Sequence, residues 1–92
     1  MLYPFERLFL ICTGARCNDP ARGEERGEII REELKDHNKQ MGRKPIVRVC
    51  AVSCLDFCDD GPNMVVHPGG ELHTQLNRAR ARAVYDAEMG DA

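Results

Sequence analysis

Two short apolar runs in the first half of the chain are separated by a long charged stretch. The first run, residues 7–12, ends at a Thr-Gly pair and therefore predicts a buried strand followed by a turn. The second run, residues 46–52, is rich in β-branched residues, which favour strands. A helix between two strands is the usual crossover that makes them parallel, so this half of the chain predicts a β-α-β unit.

The charged stretch between the two runs predicts an amphipathic helix over residues 22–40. It contains few strand formers, and Ile30, Leu34 and Met41 fall close to one face of such a helix. Gly42 follows directly and is a typical helix stop. We therefore expect a narrow apolar stripe on this helix to pack on the sheet.

The second half of the chain predicts a hairpin and a final helix. Residues 64–66 and 72–74 flank a Pro-Gly-Gly turn signal. Asn77 can cap a last helix that continues to about Met89, where alanines raise the helix propensity. The resulting β-α-β-β-β-α order predicts an α/β fold with a small mixed β-sheet flanked by helices, which is the thioredoxin-like arrangement.

Length and charge narrow the function classes. A chain of 92 residues without internal duplication fits a single domain, 1–92. The net charge of −2, with acidic and basic residues interspersed, offers no field for nucleic acid. The apolar run near the start is far shorter than the roughly 20 residues that span a bilayer, and it lacks the features of a secretory signal. We therefore expect a cytoplasmic protein that binds neither nucleic acid nor membrane.

The cysteines carry the candidate chemistry. Five cysteines are an odd number for a disulfide framework and suit reduced thiols gathered around a metal. Four residues separate Cys12 from Cys17 and three separate Cys54 from Cys58, and each pair follows a predicted parallel strand, so the two loops can converge. Four thiolates bind either zinc or a 2Fe-2S cluster. Neither pair has the two-residue spacing of a zinc knuckle, which favours the wider two-iron cluster and keeps zinc as the alternative.

An enzymatic thiol-redox function is not expected. A thioredoxin-type oxidoreductase needs a Cys-x2-Cys motif after its first strand, and the sequence has none. The sequence also lacks a Gly-x-Gly-x-x-Gly motif, a phosphate loop and a nucleophile elbow. We therefore predict that the protein is not an enzyme.

The pattern around the second cysteine pair resembles that of the thioredoxin-like 2Fe-2S ferredoxins. Cys54 and Cys58 are followed by Gly61-Pro62 and by a valine-rich strand at residues 64–66, a combination that few other folds require. The first pair resembles the same family, with one cysteine at the end of the first strand and the next at the approach to a helix. The cysteine pattern is also similar to that of the small 2Fe-2S subunits of NADH dehydrogenases and related hydrogenases.

This resemblance implies a low-potential electron carrier, often a homodimer, that passes electrons to redox partner proteins. It also implies that one 2Fe-2S cluster is the cofactor and that its ligands are Cys12, Cys17, Cys54 and Cys58. A zinc-binding structural or regulatory protein-interaction module is the alternative function.

Residues near the predicted ligands have simpler roles. Cys50 lies inside the β-branched run, which predicts a small buried hydrophobic residue and not a ligand. Asp56, Asp59 and Asp60 surround the second cysteine pair, where carboxylates should oppose reduction and could steer a basic docking patch of a redox partner toward the cluster. The three histidines are surplus to a four-cysteine site.

Overall fold

The computed structural model describes residues 5–14, 26–53 and 61–90. In chain order the elements are β1 (Arg7–Cys12), α1 (Gly27–Gln40), β2 (Val47–Val52), β3 (Met64–His67), β4 (Glu71–His73) and α2 (Arg78–Met89). The predicted order of strands and helices is confirmed.

The four strands form one mixed sheet in the order β2-β1-β3-β4. β1 and β2 are parallel, with Arg7 opposite Val47 and Cys12 opposite Val52. β3 is antiparallel to β1, and β4 is antiparallel to β3. The predicted parallel β-α-β unit and the predicted hairpin are therefore both confirmed.

The predicted start of the first helix is wrong. Arg26 has an extended backbone (φ −87°, ψ 154°), so α1 begins at Gly27, and residues 22–25 lie outside the described parts of the chain. The helix ends as expected, because Gly42 takes the left-handed conformation (φ +70°) just beyond the end of α1. Met41 lies past the last helical residue and is 45% exposed, so its predicted place on the buried stripe is also wrong.

The hairpin and the last helix follow the sequence signals closely. Gly70 has a positive φ of 73° in the turn between β3 and β4, a conformation that glycine adopts without strain. Asn77 caps α2, because its side chain accepts a hydrogen bond from the backbone N–H of Arg80 at 2.8 Å. Gly90, also left-handed, ends the helix.

Both helices lie on the same face of the sheet. Alternate strand residues point to this face, and α1 packs on β1 and β2 while α2 packs on α1. The buried apolar side chains are Phe9, Ile11, Ile30, Leu34, Val47, Val49, Met64, Val66, Leu76, Ala81 and Tyr85. The core is thus a single layer between the sheet and the two helices.

A buried polar network crosses this core. The Tyr85 hydroxyl donates a hydrogen bond to Asn38 Oδ1 at 2.7 Å, and Asn38 Nδ2 donates to the Val47 carbonyl at 3.0 Å. The Tyr85 ring also packs against Phe9, with ring centroids 5.2 Å apart. The network joins α2 to α1 and α1 to β2, and it satisfies polar atoms that would be costly to bury alone.

Neither α1 nor α2 has the length and the apolar character of a membrane-spanning helix.

Candidate metal centre

Cys12 is the predicted ligand that lies among the described residues. It is the last residue of β1 and is fully buried. Its backbone N–H donates to the Asn63 carbonyl at 2.9 Å, and its sulfur lies 3.8 Å from the Ser53 carbonyl oxygen. The other three predicted ligands, Cys17, Cys54 and Cys58, lie outside the described parts of the chain.

The two predicted ligand loops leave the sheet side by side. The Thr13 N–H and hydroxyl both donate to the Val52 carbonyl, at 2.8 and 3.2 Å. One residue further, Gly14 passes so close to Ser53 that a Cβ on Gly14 would overlap the Ser53 carbonyl oxygen. Ser53, the residue that precedes Cys54 in the sequence, therefore lies beside Cys12.

The chain also returns from the second cysteine pair beside Cys12. Gly61, Pro62 and Asn63 are all buried, and the Asn63 carbonyl accepts the hydrogen bond from the Cys12 N–H. The Pro62 carbonyl in turn accepts from the Leu76 N–H at 2.9 Å, which ties this segment to the residues before α2. The residues that flank segment 54–60 on both sides therefore meet at the end of β1.

The character of Cys12 fits a metal ligand. Its thiol is buried at a strand end, its backbone is held by hydrogen bonds to a neighbouring segment, and no disulfide joins it to Cys50. A thiolate is the ligand that both zinc and iron–sulfur clusters use. Within the described ranges no three His, Cys, Asp or Glu side chains group closely enough to hold a metal ion, so the four-cysteine ligand set stays a prediction.

Cys50 lies within β2, as predicted, but the expectation that it is buried is wrong. Val47 and Val49 face the helices, so the alternation of a strand turns Cys50 to the other face, where it is partly exposed. It pairs with Leu10 of β1, whereas Cys12 pairs with Val52. No described contact joins the sulfurs of the two cysteines.

The aspartates near the second cysteine pair and two of the histidines are the remaining polar residues considered for the site. Asp56, Asp59 and Asp60 lie outside the described parts of the chain. His37 packs edge-on against the Tyr85 ring at 5.2 Å, and His73 approaches Glu71 at 3.7 Å. The contacts of these two histidines therefore do not involve Cys12.

No model of a known protein family and no curated protein matches the sequence. Among solved structures, the chain is similar to the wild-type thioredoxin-like 2Fe-2S ferredoxin from Aquifex aeolicus, with a TM-score of 0.73 and 14% identity over 91% of this chain and 84% of that chain. A second structure of a thioredoxin-like 2Fe-2S ferredoxin from the same organism gives a TM-score of 0.67 and 16% identity over 95% of this chain and 82% of that one. The chain therefore has the thioredoxin-like fold, and the predicted structural resemblance to these ferredoxins is confirmed.

Proposed function

We propose that the protein is an electron carrier that holds one 2Fe-2S cluster on Cys12, Cys17, Cys54 and Cys58. The observation that carries this proposal is the position of Cys12. It is buried at the end of β1, and the residues on either side of segment 54–60, which contains the second cysteine pair, contact it. The thioredoxin-like fold of the Aquifex aeolicus ferredoxins supports the same conclusion.

The chain's own residues would hold the cluster rather than react. A bound 2Fe-2S cluster supplies one-electron chemistry, and the protein supplies the ligands and their surroundings. The strand-end hydrogen bonds of Cys12 and Thr13 fix the direction in which the first ligand loop leaves the sheet. The full burial of Cys12 would keep water from its sulfur, which would protect a metal–thiolate bond and influence the reduction potential of a bound cluster.

A spectrum and an elemental analysis test this proposal against the zinc-binding alternative. The freshly purified protein should be coloured, contain about two irons and two sulfides per chain, and take up one electron reversibly in a redox titration monitored by electron paramagnetic resonance. A colourless protein with one zinc per chain would instead support a structural or regulatory module.

Cysteine substitutions test the ligand set. Cys54→Ser and Cys58→Ser should each lose most of the visible colour and lower the thermal stability, because ligand binding contributes to the folding of a chain with a small core. Cys50→Ala is the matched control, because it removes a thiol from β2 and should retain iron, sulfide and spectrum. Full iron and sulfide in both serine variants, or a loss of half the iron in the control, would contradict the proposed ligands.

We also propose that the protein forms a homodimer through the outer face of the sheet, opposite the helices. On this face the strand pairing aligns Leu10 with Val65 and Val65 with Leu72, so three partly exposed apolar side chains form a row across three strands. Leu72→Glu should produce a monomer in sedimentation equilibrium. Met41→Glu, at a comparably exposed site outside this face, should remain dimeric, and a monomeric parent protein would contradict the proposal.

The electron carrier would act in the cytoplasm, where its thiols stay reduced and available to the cluster. Its redox partners would carry a basic docking patch that faces the acidic residues of segment 54–60. An enzymatic activity of its own is not part of this function.

A further inference from the structure

A basic groove runs along the outer edge of β2. In the part of the chain that the structure describes, β2 is at the edge of the sheet, and α1 runs beside it. Between them lies a groove of about 520 Å³, which we call the edge groove; it is lined by Arg31, Glu32, Lys35, Asp36, Asn38, Lys39, Lys44 and residues 47–51. Five of these residues are basic and two are acidic, which gives a net charge of +3. Since the whole chain carries −2, the rest of the chain carries −5, and the groove stands out as a positive surface.

The backbone of β2 offers hydrogen-bonding groups to this groove. In a parallel pair, alternate residues bond to the neighbouring strand, and the residues between them turn their N–H and C=O groups outward. Val47 is turned outward, because its N–H donates to the Arg43 carbonyl and its carbonyl accepts from Asn38. The same alternation turns the N–H and C=O groups of Val49 and Ala51 toward the groove.

The basic side chains have the spacing of a strand. Arg31, Lys35 and Lys39 follow one another at intervals of four residues on α1, or about 6 Å along the helix axis. Side chains on one face of a strand repeat about every 6.6 Å. The bond from Asn38 to Val47 fixes the two elements against each other, so the end of α1 near Lys39 lies beside the start of β2. A strand bonded to Val49 and Ala51 would therefore present alternate side chains to Lys35 and to Arg31, which also pairs with Glu32, and would meet Lys39 where it continues past Val47.

From these observations we infer that the edge groove binds an extended acidic segment of a partner protein, which adds to the sheet as a strand beside Val49 and Ala51. Main-chain hydrogen bonds to β2 would give affinity, and acidic side chains at every second position, facing α1, would give selectivity. A second copy of this chain is disfavoured as the occupant, because pairing β2 with β2 would bring two groups of basic side chains together. The N–H and C=O groups of Val47 already have hydrogen-bond partners, so the added strand would bond to the part of β2 nearer Ser53. Only the expectation that this strand lies near the ligand loop depends on the function proposed above.

Fluorescence anisotropy with a labelled peptide in which glutamate alternates with valine tests this inference. The full-length protein should bind this peptide and should not bind the same peptide with lysine in place of glutamate. Binding should weaken at high salt, because Lys35, Lys39 and Lys44 of the groove are exposed. The assay measures peptide binding whether or not the protein contains a metal. A protein that does not bind the peptide would therefore contradict this inference without contradicting the proposed cluster.

Two variants, each with a control, separate the contribution of the basic side chains from that of the main-chain hydrogen bonds. The double variant Lys35→Gln with Lys39→Gln should weaken binding about fivefold, since each exposed ion pair contributes modestly, whereas Arg80→Gln on α2 should stay within about twofold. Ala51→Pro removes one outward N–H and should weaken binding about tenfold, a loss of about 1.4 kcal/mol, while Ala51→Thr keeps that group and should bind as the parent does.

A peptide N-methylated on the bonds that would face β2 repeats this test without altering the protein, and so covers the case in which Ala51→Pro unfolds. Weak binding of the methylated peptide would support strand addition. The inference is overturned if the parent does not bind the acidic peptide, if the lysine peptide binds equally well, if the methylated peptide binds as tightly as the unmodified one, or if the protein self-associates through β2.

Discussion

Gly14→Ala tests whether the close approach of the two strand ends supports the metal centre. A Cβ on Gly14 would overlap the Ser53 carbonyl oxygen and lie 3.4 Å from its carbon, with the Cys12 sulfur 3.8 Å away. The overlapping atom belongs to the backbone, so rotation of a side chain cannot relieve the overlap. The ends of β1 and β2 must separate, and these are the points from which the two predicted ligand loops leave.

The magnitude follows from the geometry. A Cβ does not approach another heavy atom closer than 3.0 Å, so the strand ends must move apart to relieve the overlap with the Ser53 carbonyl oxygen, and an overpacked site of this kind typically costs about 1–3 kcal/mol. For a domain of this size, such a loss lowers the melting temperature by about 5–15 °C. The shift should also reduce iron content, because ligands must keep their geometry to hold a cluster.

Thermal unfolding and iron and sulfide analysis measure both effects on the same preparation. Gly69→Ala is the matched control: its Cβ would meet only the Glu71 side chain, at 3.9 Å, so it should be neutral or slightly stabilising. A Gly14→Ala protein with full iron and a melting temperature within about 2 °C of the parent would refute the reasoning, because relief of a backbone overlap should cost more than that.

Three further substitutions have defined outcomes. Tyr85→Phe should lower the free energy of unfolding in urea by about 1–2 kcal/mol, because it leaves the buried Asn38 Oδ1 without its donor; an unchanged midpoint would show that the bond contributes nothing. Asn77→Ala should cost about 1 kcal/mol in the same assay through loss of the α2 cap, with Asn77→Ser close to the parent as its control. Replacing Asp59 and Asp60 together with asparagine should slow electron exchange with a basic partner at low salt and have little effect at high salt; exchange rates of the parent that do not depend on salt would count against steering.

The features that were predicted correctly depend on neighbouring residues. β1 and β2 follow from short apolar and β-branched runs, and the ends of the helices follow from Gly42, Asn77 and Gly90, whose backbone or side-chain chemistry acts within a few residues. The start of α1 had no such signal, because Arg26 makes no side-chain cap. Without a side-chain cap, the local sequence does not mark the residue at which α1 begins.

Two errors arose from misreading which face a residue occupies. Asn38 follows Ile30 and Leu34 at intervals of four residues and shares their buried face, a spacing that would have identified it in place of Met41. Because Asn38 is polar, the sequence does not mark it as a buried residue. Of its two hydrogen-bond partners, Val47 is nine residues away but Tyr85 is 47 residues away, beyond the reach of a local pattern. Cys50 was expected in the core, although the two-residue alternation with Val49 places it on the opposite face.

The proposed metal centre would need both the backbone geometry at the strand ends and the four thiol ligands. Cys12 and Thr13 are held at the strand ends by hydrogen bonds from the Cys12 N–H to Asn63 and from Thr13 to Val52, so substituting a cysteine side chain leaves the Cys12 backbone bond in place. Loss of iron in Cys54→Ser or Cys58→Ser, with the fold retained, therefore reports on ligand chemistry. Gly14→Ala does the reverse, because it keeps every thiol and displaces the backbone. If the cluster needs both, Gly14→Ala combined with Cys54→Ser should lose little more iron than Cys54→Ser alone, since both changes act on the same site.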